Sequence, residues 1–341
     1  MYRRLIGVLI AAVALTAVAF PPGTSLAQTK TLRMANWLPT VHHMTLTLKA
    51  WTNEVERASG GTLKIRVLPP GLAKPPGQYD LAKNGIVDIS WGVAAYTRGR
   101  FPLVRVMELP FMSPNAEVGS LSLWQWYIKH GLNELEFNDT RLLLAFVHGP
   151  GVLHTKKQVR NLEDLAGLKL RVGGGGVAMA DKLGAVPVPM SATKAHESLQ
   201  KGTTTGALFP WESIKGFRLN KLVKYHLTFP GGLYTTSFFM TMNKRSWNKL
   251  SDEHKSVLNR VGRAWGSQFI GRFWDSADTV GKQAALANGN TVSAIDPAEM
   301  DRWREKIRFM SEEWVAKANA AGQDGRALLD DLIAIIKKNS R

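Results

Sequence analysis

The sequence predicts an α/β protein built in two lobes, on three observations. Strand and helix alternate twice along the chain, in separate stretches. A later strand runs back between those stretches. After it the pattern turns helical, with no proline from about Ser251 to Ala287. Alternation of this kind is how a parallel sheet covered by helices is written. Two such units in 341 residues argue for two lobes over one large sheet.

The first unit opens with Thr31–Ala35, a short alternating segment read as a strand. Helical spacing follows over Met44 to Ala58, with Leu48, Trp51, Val55 and Ala58 on one face and Gly60-Gly61 as the stop. Leu63 to Leu68 alternates with period two, a helix lies near Tyr79 to Asn84, and Ile86 to Val93 is an apolar strand. The second unit has strands at Leu142–Val147 and Leu168–Val172, a helix over Val177–Leu183, extended chain at Pro187–Met190 and a helix over Lys194–Lys201. Thr236 to Asn243 reads as the strand crossing back. Val257, Val261, Trp265, Phe269 and Phe273 then recur at four-residue steps. One helix over that whole stretch would run ~50 Å at ~1.5 Å per residue and could brace both lobes. Two helices joined at Gly271 are the alternative.

Arg3 and Arg4, the apolar run Leu5–Phe20 and the small-residue pattern Ser25-Leu26-Ala27 form a secretory leader, with cleavage expected after Ala27. An uncleaved anchor is the competing reading. It is disfavoured because the run is shorter than the ~20 residues a span needs and ends at Pro21-Pro22-Gly23. The chain has no cysteine, which excludes disulfides, thiolate metal sites and cysteine nucleophiles. Its net charge of +17 suits an anionic ligand. No basic arm or long Lys/Arg run points to nucleic acid.

Arg171 is the first candidate for binding. It closes a strand ahead of Gly173 to Gly176, and ligands of open α/β sheets sit beyond the carboxyl ends of strands. Its planar fork can take a carboxylate bidentately. A surface arginine beside a flexible turn is the plain alternative. The glycines also fit G-x-G-x-x-A, but no Asp or Glu lies between Asp181 and Glu197 to hold a ribose, so nucleotide binding is set aside. Eight histidines show no metal spacing. His42 and His43 are neighbours, whose side chains would diverge by about 100° on a helix. No H-E-x-x-H and no G-x-S-x-G occurs, so neither enzyme chemistry, metal nor cofactor is expected. Phe209-Pro210-Trp211-Glu212 is the second candidate, an aromatic cluster in what reads as irregular chain. Core packing serves Phe209, Trp211, Trp91 and Phe238 equally well at this level.

Taken in order, these segments resemble the DctP-type solute-binding proteins of tripartite ATP-independent periplasmic (TRAP) transporters, over almost the whole chain after the leader. The marks are Ala35-Asn36-Trp37-Leu38-Pro39 ahead of His42, Asn84 to Ile89, Glu108-Leu109-Pro110-Phe111, Asp164 to Val172, Leu183 to Met190, and Ser198 to Gly202. The resemblance implies a two-lobed periplasmic-binding-protein-like fold with cross-connecting strands and a long bracing helix. Residues 28–148, completed by about 238–278, would form one lobe; 149–237, completed by about 279–341, would form the other. It implies that Arg171 clamps a substrate carboxylate. Asn36, His42, Trp91, His148, Phe209, Trp211, Glu212 and Phe238 are the further residues expected around the ligand. It also implies a periplasmic, monomeric receptor serving small and large membrane subunits; a binding module for a sensor is the alternative partner.

The sequence departs from common members of that family at several places. Lys194 stands where an acidic residue is usual, His196 near a usual tyrosine, Thr204-Thr205-Gly206 for Val-Asp-Gly, and Leu208-Phe209 for a Glu-Asn pair of sialic-acid binders. Apolar replacements favour an aromatic or hydrophobic monocarboxylate, since a hydroxyl-rich ligand would leave polar groups unpaired. A C4-dicarboxylate or keto acid is the alternative, if Lys194, His196 or His148 reaches a second carboxylate.

Overall fold

The computed structural model describes residues 29–173 and 175–341, so the leader and its cleavage site lie outside the described residues. The chain begins β1 (Lys30–Met34), α1 (His43–Ala58), β2 (Leu63–Val67), α2 (Gln78–Lys83), β3 (Ile89–Val93), α3 (Ala116–Lys129), α4 (Leu132–Glu136) and β4 (Thr140–Val147). It then passes into β5 (Val152–Thr155), β6 (Lys169–Val172), α5 (Val177–Lys182), β7 (Val186–Pro189), α6 (Ala195–Gln200), β8 (Gly206–Phe209), α7 (Glu212–Gly216) and β9 (Tyr225–Thr228). The remainder is β10 (Ser237–Asn243), α8 (Lys244–Asn248), α9 (Asp252–Val261), α10 (Arg263–Ala287), β11 (Thr291–Ala294), α11 (Pro297–Ile307), α12 (Phe309–Ala320) and α13 (Gly325–Asn339).

Two sheets result, ordered β2-β1-β3-β10-β4 and β11-β9-β5-β8-β6-β7. β10 enters the first sheet antiparallel between β3 and β4, because the chain reaches it from the second sheet and must run back. The crossing segments lie side by side: the Gly151 amide donates to the Tyr234 carbonyl at 2.8 Å, and the Leu233 amide to the Gly151 carbonyl at 2.9 Å. Paired connections of this kind can act as a hinge. Phe209 ends β8, so part of the aromatic cluster expected in irregular chain belongs to a strand.

The helical stretch breaks at Gly262, with Arg263 at φ 50°, and not at Gly271. The 25 residues of α10 remain continuous. Gly271 serves close packing: a Cβ there would sit 2.6 Å from the Ala116 carbonyl oxygen at the start of α3. Farther along, a Cβ at Gly281 would sit 2.0 Å from the Trp211 carbonyl oxygen of the second lobe. Asp275 accepts the Ala116 and Glu117 amides at 2.7 and 2.9 Å, capping α3, and Asp278 accepts the Glu212 amide at 2.7 Å. The helix therefore bears on both lobes. Its buried face is Gly266, Ile270, Gly271, Trp274, Asp278 and Gly281, while Trp265 and Phe273, expected inward, are 42% and 39% exposed. Small residues win that face because they allow backbones to touch.

The segment 279–341, expected to complete the second lobe, is divided between both cores. Met300, Trp303 and Ile307 of α11 pack with the second sheet's apolar residues. Trp314 of α12 and Leu328, Leu329 and Leu332 of α13 return to the first core, where the Trp126 indole donates to the Leu328 carbonyl at 2.8 Å.

Candidate ligand-binding site

A cleft lies between the sheets. Arg171 enters it from the carboxyl end of β6, 3% exposed. Its guanidinium donates to the Met190 carbonyl at 2.9 Å and the Leu208 carbonyl at 3.3 Å, which fixes its plane. It stacks 4.0 Å over the Phe209 ring. Its Nε has no partner among the described residues. A pinned, buried guanidinium with an open N–H is ready to accept a carboxylate edge. From the other lobe the Tyr96 hydroxyl lies 3.4 Å from Arg171 and accepts the Ala192 amide at 3.1 Å.

The first lobe supplies an aromatic wall. Trp37 and Trp91 pack at 4.9 Å, Phe238 stacks on Phe146 at 5.1 Å, and Trp274 of α10 meets Phe238 at 5.1 Å. Trp37, Trp91, Phe238 and Trp274 all line the cleft. So does His148, whose Nδ1–H donates to the Gly149 carbonyl at 2.6 Å and whose Nε2 accepts from the Thr236 hydroxyl at 2.9 Å. Burial pushes His148 down to about 4, so the ring is neutral and both nitrogens are occupied.

Two carboxylates also face the cleft. Glu108 pairs with Arg105 at 2.8 Å, and burial nevertheless pushes it up. Glu212 opens α7, and its Oε1 accepts the Ser213 hydroxyl at 2.6 Å. Burial raises the Glu212 carboxyl, but His43, His42 and Ser213 outweigh that and hold it at about 2. Glu212 Oε2 stands 3.1 Å from His43 Nε2 and 3.6 Å from His42 Nε2. The two histidines were expected to diverge. They converge because His42 is the N-cap of α1 and still lies outside the helix, while Glu212 arrives from the other lobe. Their ligand-type atoms lie within 4.8 Å of one another, a cluster that sequence spacing could not show. His42 Nδ1 accepts the Met44 amide at 3.2 Å, which leaves the proton on Nε2 and no lone pair there for a cation.

Among the residues predicted for binding, Arg171, Phe209, His42, Trp91, His148, Glu212 and Phe238 line the cleft. Asn36 does not. It is buried within the loop that leads to α1, donating to the Leu38 carbonyl at 2.9 Å and the Thr45 hydroxyl at 3.0 Å, and so sets the course of Trp37 and Leu38. Trp211 also turns away, into the second lobe's core, with its ring 4.9 Å from His226 and 5.4 Å from His154. The chain has left β8 before Trp211, so strand alternation no longer aims it. Phe209 supports Arg171 and does not face it across the cleft. Trp37, Tyr96, Tyr234 and Trp274 were missed as site residues; Trp37 alone stood within a quoted motif. The glycine run makes room for lobe contact: a Cβ at Gly175 would sit 2.4 Å from Glu108 Oε2.

Residues 34–318 match bacterial extracellular solute-binding protein family 7, DctP. A TRAP solute-binding protein from Rhodoferax ferrireducens, solved with copurified benzoate, is 38% identical with a TM-score of 0.86, over 92% of this chain and 99% of that one. One from Bordetella bronchiseptica, with bound (R)- and (S)-mandelate, is 31% identical with a TM-score of 0.87, over 91% and 99%. A marine-metagenome TRAP solute-binding protein specific for aromatic acid ligands, in complex with 3-hydroxybenzoate, is 33% identical with a TM-score of 0.86, over 92% and 100%. With the family match over residues 34–318, the fold shared over about nine-tenths of the chain and a buried arginine between its lobes, this chain belongs to the DctP family of solute-binding proteins that serve TRAP transporters.

Proposed function

We propose that this protein is the periplasmic receptor for an aromatic monocarboxylate, which it passes as a monomer to the small and large membrane subunits of a TRAP transporter. Among the described residues, no helix is long and apolar enough to cross a membrane. The observation that carries the ligand class is the charge balance of the cleft. Arg171 is the one Lys or Arg among its lining residues, and it faces Trp37, Trp91 and Phe238 together with two carboxyl groups, Glu108 and Glu212. A single ligand carboxylate meets its partner while the ring packs on aromatic faces. A second carboxylate would be buried without a cation. Neither Lys194 nor His196 lines the cleft: Lys194 points at Glu197, and His196 contacts the Phe217 carbonyl at 3.0 Å. His148 is neutral and fully bonded. Three relatives bound to benzoate, mandelate and 3-hydroxybenzoate support the same class.

Calorimetric titration of benzoate against succinate tests this reading. Benzoate is expected to bind and succinate to bind at least tenfold more weakly. Tighter binding of succinate would overturn the aromatic assignment.

A further inference from the structure

His42 and Glu212 hold a donor and an acceptor in the cleft, neither of which makes an aligned hydrogen bond among the described residues. His42 is 2% exposed and Glu212 4%. His42 Nδ1 is engaged by the Met44 amide, so Nε2 carries the proton, and this N–H has no partner among the described residues. Burial, against the pull of Glu212, pushes His42 down to about 4, so the ring is a neutral donor at pH 7. Glu212 Oε1 takes the Ser213 hydroxyl, whereas Oε2 accepts no aligned hydrogen bond even from His43 beside it. Both residues line the cleft that holds Arg171. They come from opposite lobes, so the pair is assembled when the lobes are together.

A buried donor and a buried acceptor left unpaired are each destabilising, because both have lost their water partners. The group that satisfies both at once is one that donates and accepts through a single atom. A hydroxyl does this: its oxygen, at about 2.8 Å from each, spans the 3.6 Å between His42 Nε2 and Glu212 Oε2. It would take the imidazole N–H and give its own proton to the carboxylate. Gly216 packs against the pair with no room for a side chain, since a Cβ there would sit 2.8 Å from Glu212 Oε2 and 3.0 Å from His42 Nε2. The other polar groups at the pair are His43, the Ser213 hydroxyl and Asp278, which accepts the Glu212 amide at 2.7 Å.

We infer that His42 and Glu212 form a hydroxyl-recognition subsite, and that the protein selects hydroxylated aromatic acids over their unsubstituted counterparts. This rests on the aromatic-acid reading above and adds the ring substituent. A site built to bond a hydroxyl rejects the ligand that lacks one, because its own polar groups are then stranded.

Titration of the purified protein with benzoate, 3-hydroxybenzoate, 4-hydroxybenzoate and succinate tests it. At least one hydroxybenzoate should bind tenfold or more tighter than benzoate. Glu212→Gln and His42→Asn should each reduce that ratio to threefold or less; asparagine is itself a good N-cap, so α1 keeps its start. A wild-type ratio within threefold for both isomers overturns the subsite and leaves the aromatic reading standing. A tenfold ratio that survives both substitutions also overturns it, since the hydroxyl is then read elsewhere. Binding of succinate alone defeats the aromatic reading itself. A measurement on the wild type needs no variant to fold: the His42 imidazole ¹⁵N resonance should shift with the hydroxybenzoate and stay put with benzoate. No shift with either hydroxybenzoate would equally refute the subsite.

Discussion

Arg171 and Phe209 form one unit at the floor of the cleft, the guanidinium lying 4.0 Å above the ring. They sit on β6 and β8, which run parallel with Arg171 beside Ala207. The stack holds the guanidinium flat, and the carbonyls of Met190 and Leu208 fix its rotation. A ligand carboxylate would then meet a fork that has already lost its freedom, which lowers the cost of binding.

Replacing Arg171 with alanine should weaken benzoate binding by ~2–5 kcal/mol, because a buried carboxylate loses its charged partner. Arg171→Lys should recover only part, since an ammonium cannot reproduce the planar fork or the stack on Phe209. Calorimetry decides. An alanine variant within threefold of the wild type would remove Arg171 from the anchoring role.

The lobes should separate without ligand and close upon it. The crossing segments around Gly151 and Tyr234 would serve as the hinge, and Tyr96 meets Arg171 and Ala192 from across the cleft. Small-angle scattering should give a smaller radius of gyration with saturating benzoate than without. An unchanged radius would speak for a rigid cleft.

His148 should make stability fall with acid. Its pKa is about 4 in the folded chain against 6.5 for an exposed imidazole, so the unfolded chain binds the extra proton first. The stability due to the neutral ring is complete above pH 6.5 and is lost as pH falls toward 4. The difference is about 3 kcal/mol on the scale of ~1.4 kcal/mol per pKa unit. Glu136, raised to about 6 by burial, works in the opposite sense over pH 6 to 4.5, so the comparison needs a variant. Guanidinium unfolding should show the wild type losing more stability than His148→Gln between pH 7 and 4. Parallel pH profiles would contradict the assignment.

Gly281→Ala should destabilise the protein by ~1–3 kcal/mol, the usual penalty for overpacking. The added Cβ would lie 2.0 Å from the Trp211 carbonyl oxygen, a backbone atom that cannot step aside. Gly289→Ala offers the contrast. Its φ of 74° strains an alanine, but no neighbouring atom lies within 4 Å, so its loss comes from the backbone alone. Denaturation midpoints of the two variants, with and without benzoate, separate the effects, because of the two glycines Gly281 alone packs α10 on the segment carrying Glu212. A Gly281→Ala midpoint equal to the wild type would show that α10 does not bear on the second lobe there.

The strands β1 to β3, the cross-connecting β10 and the strand-end position of Arg171 were legible in the sequence. Those features depend on local periods and on the rule that ligands gather beyond strand ends. Tertiary structure alone decided which face of α10 is inward. The expected stripe through Trp265 and Phe273 followed hydrophobicity, whereas the buried face follows Gly266, Gly271 and Gly281, where backbone contact outweighs side-chain area. It also decided that Trp211 belongs to the core, where it packs against His154 and His226. The meeting of His42 with Glu212 was beyond any spacing argument. One residue caps α1 and the other opens α7 in the opposite lobe, and a contact between residues so far apart in sequence is set by how the two sheets are placed about the crossing strands.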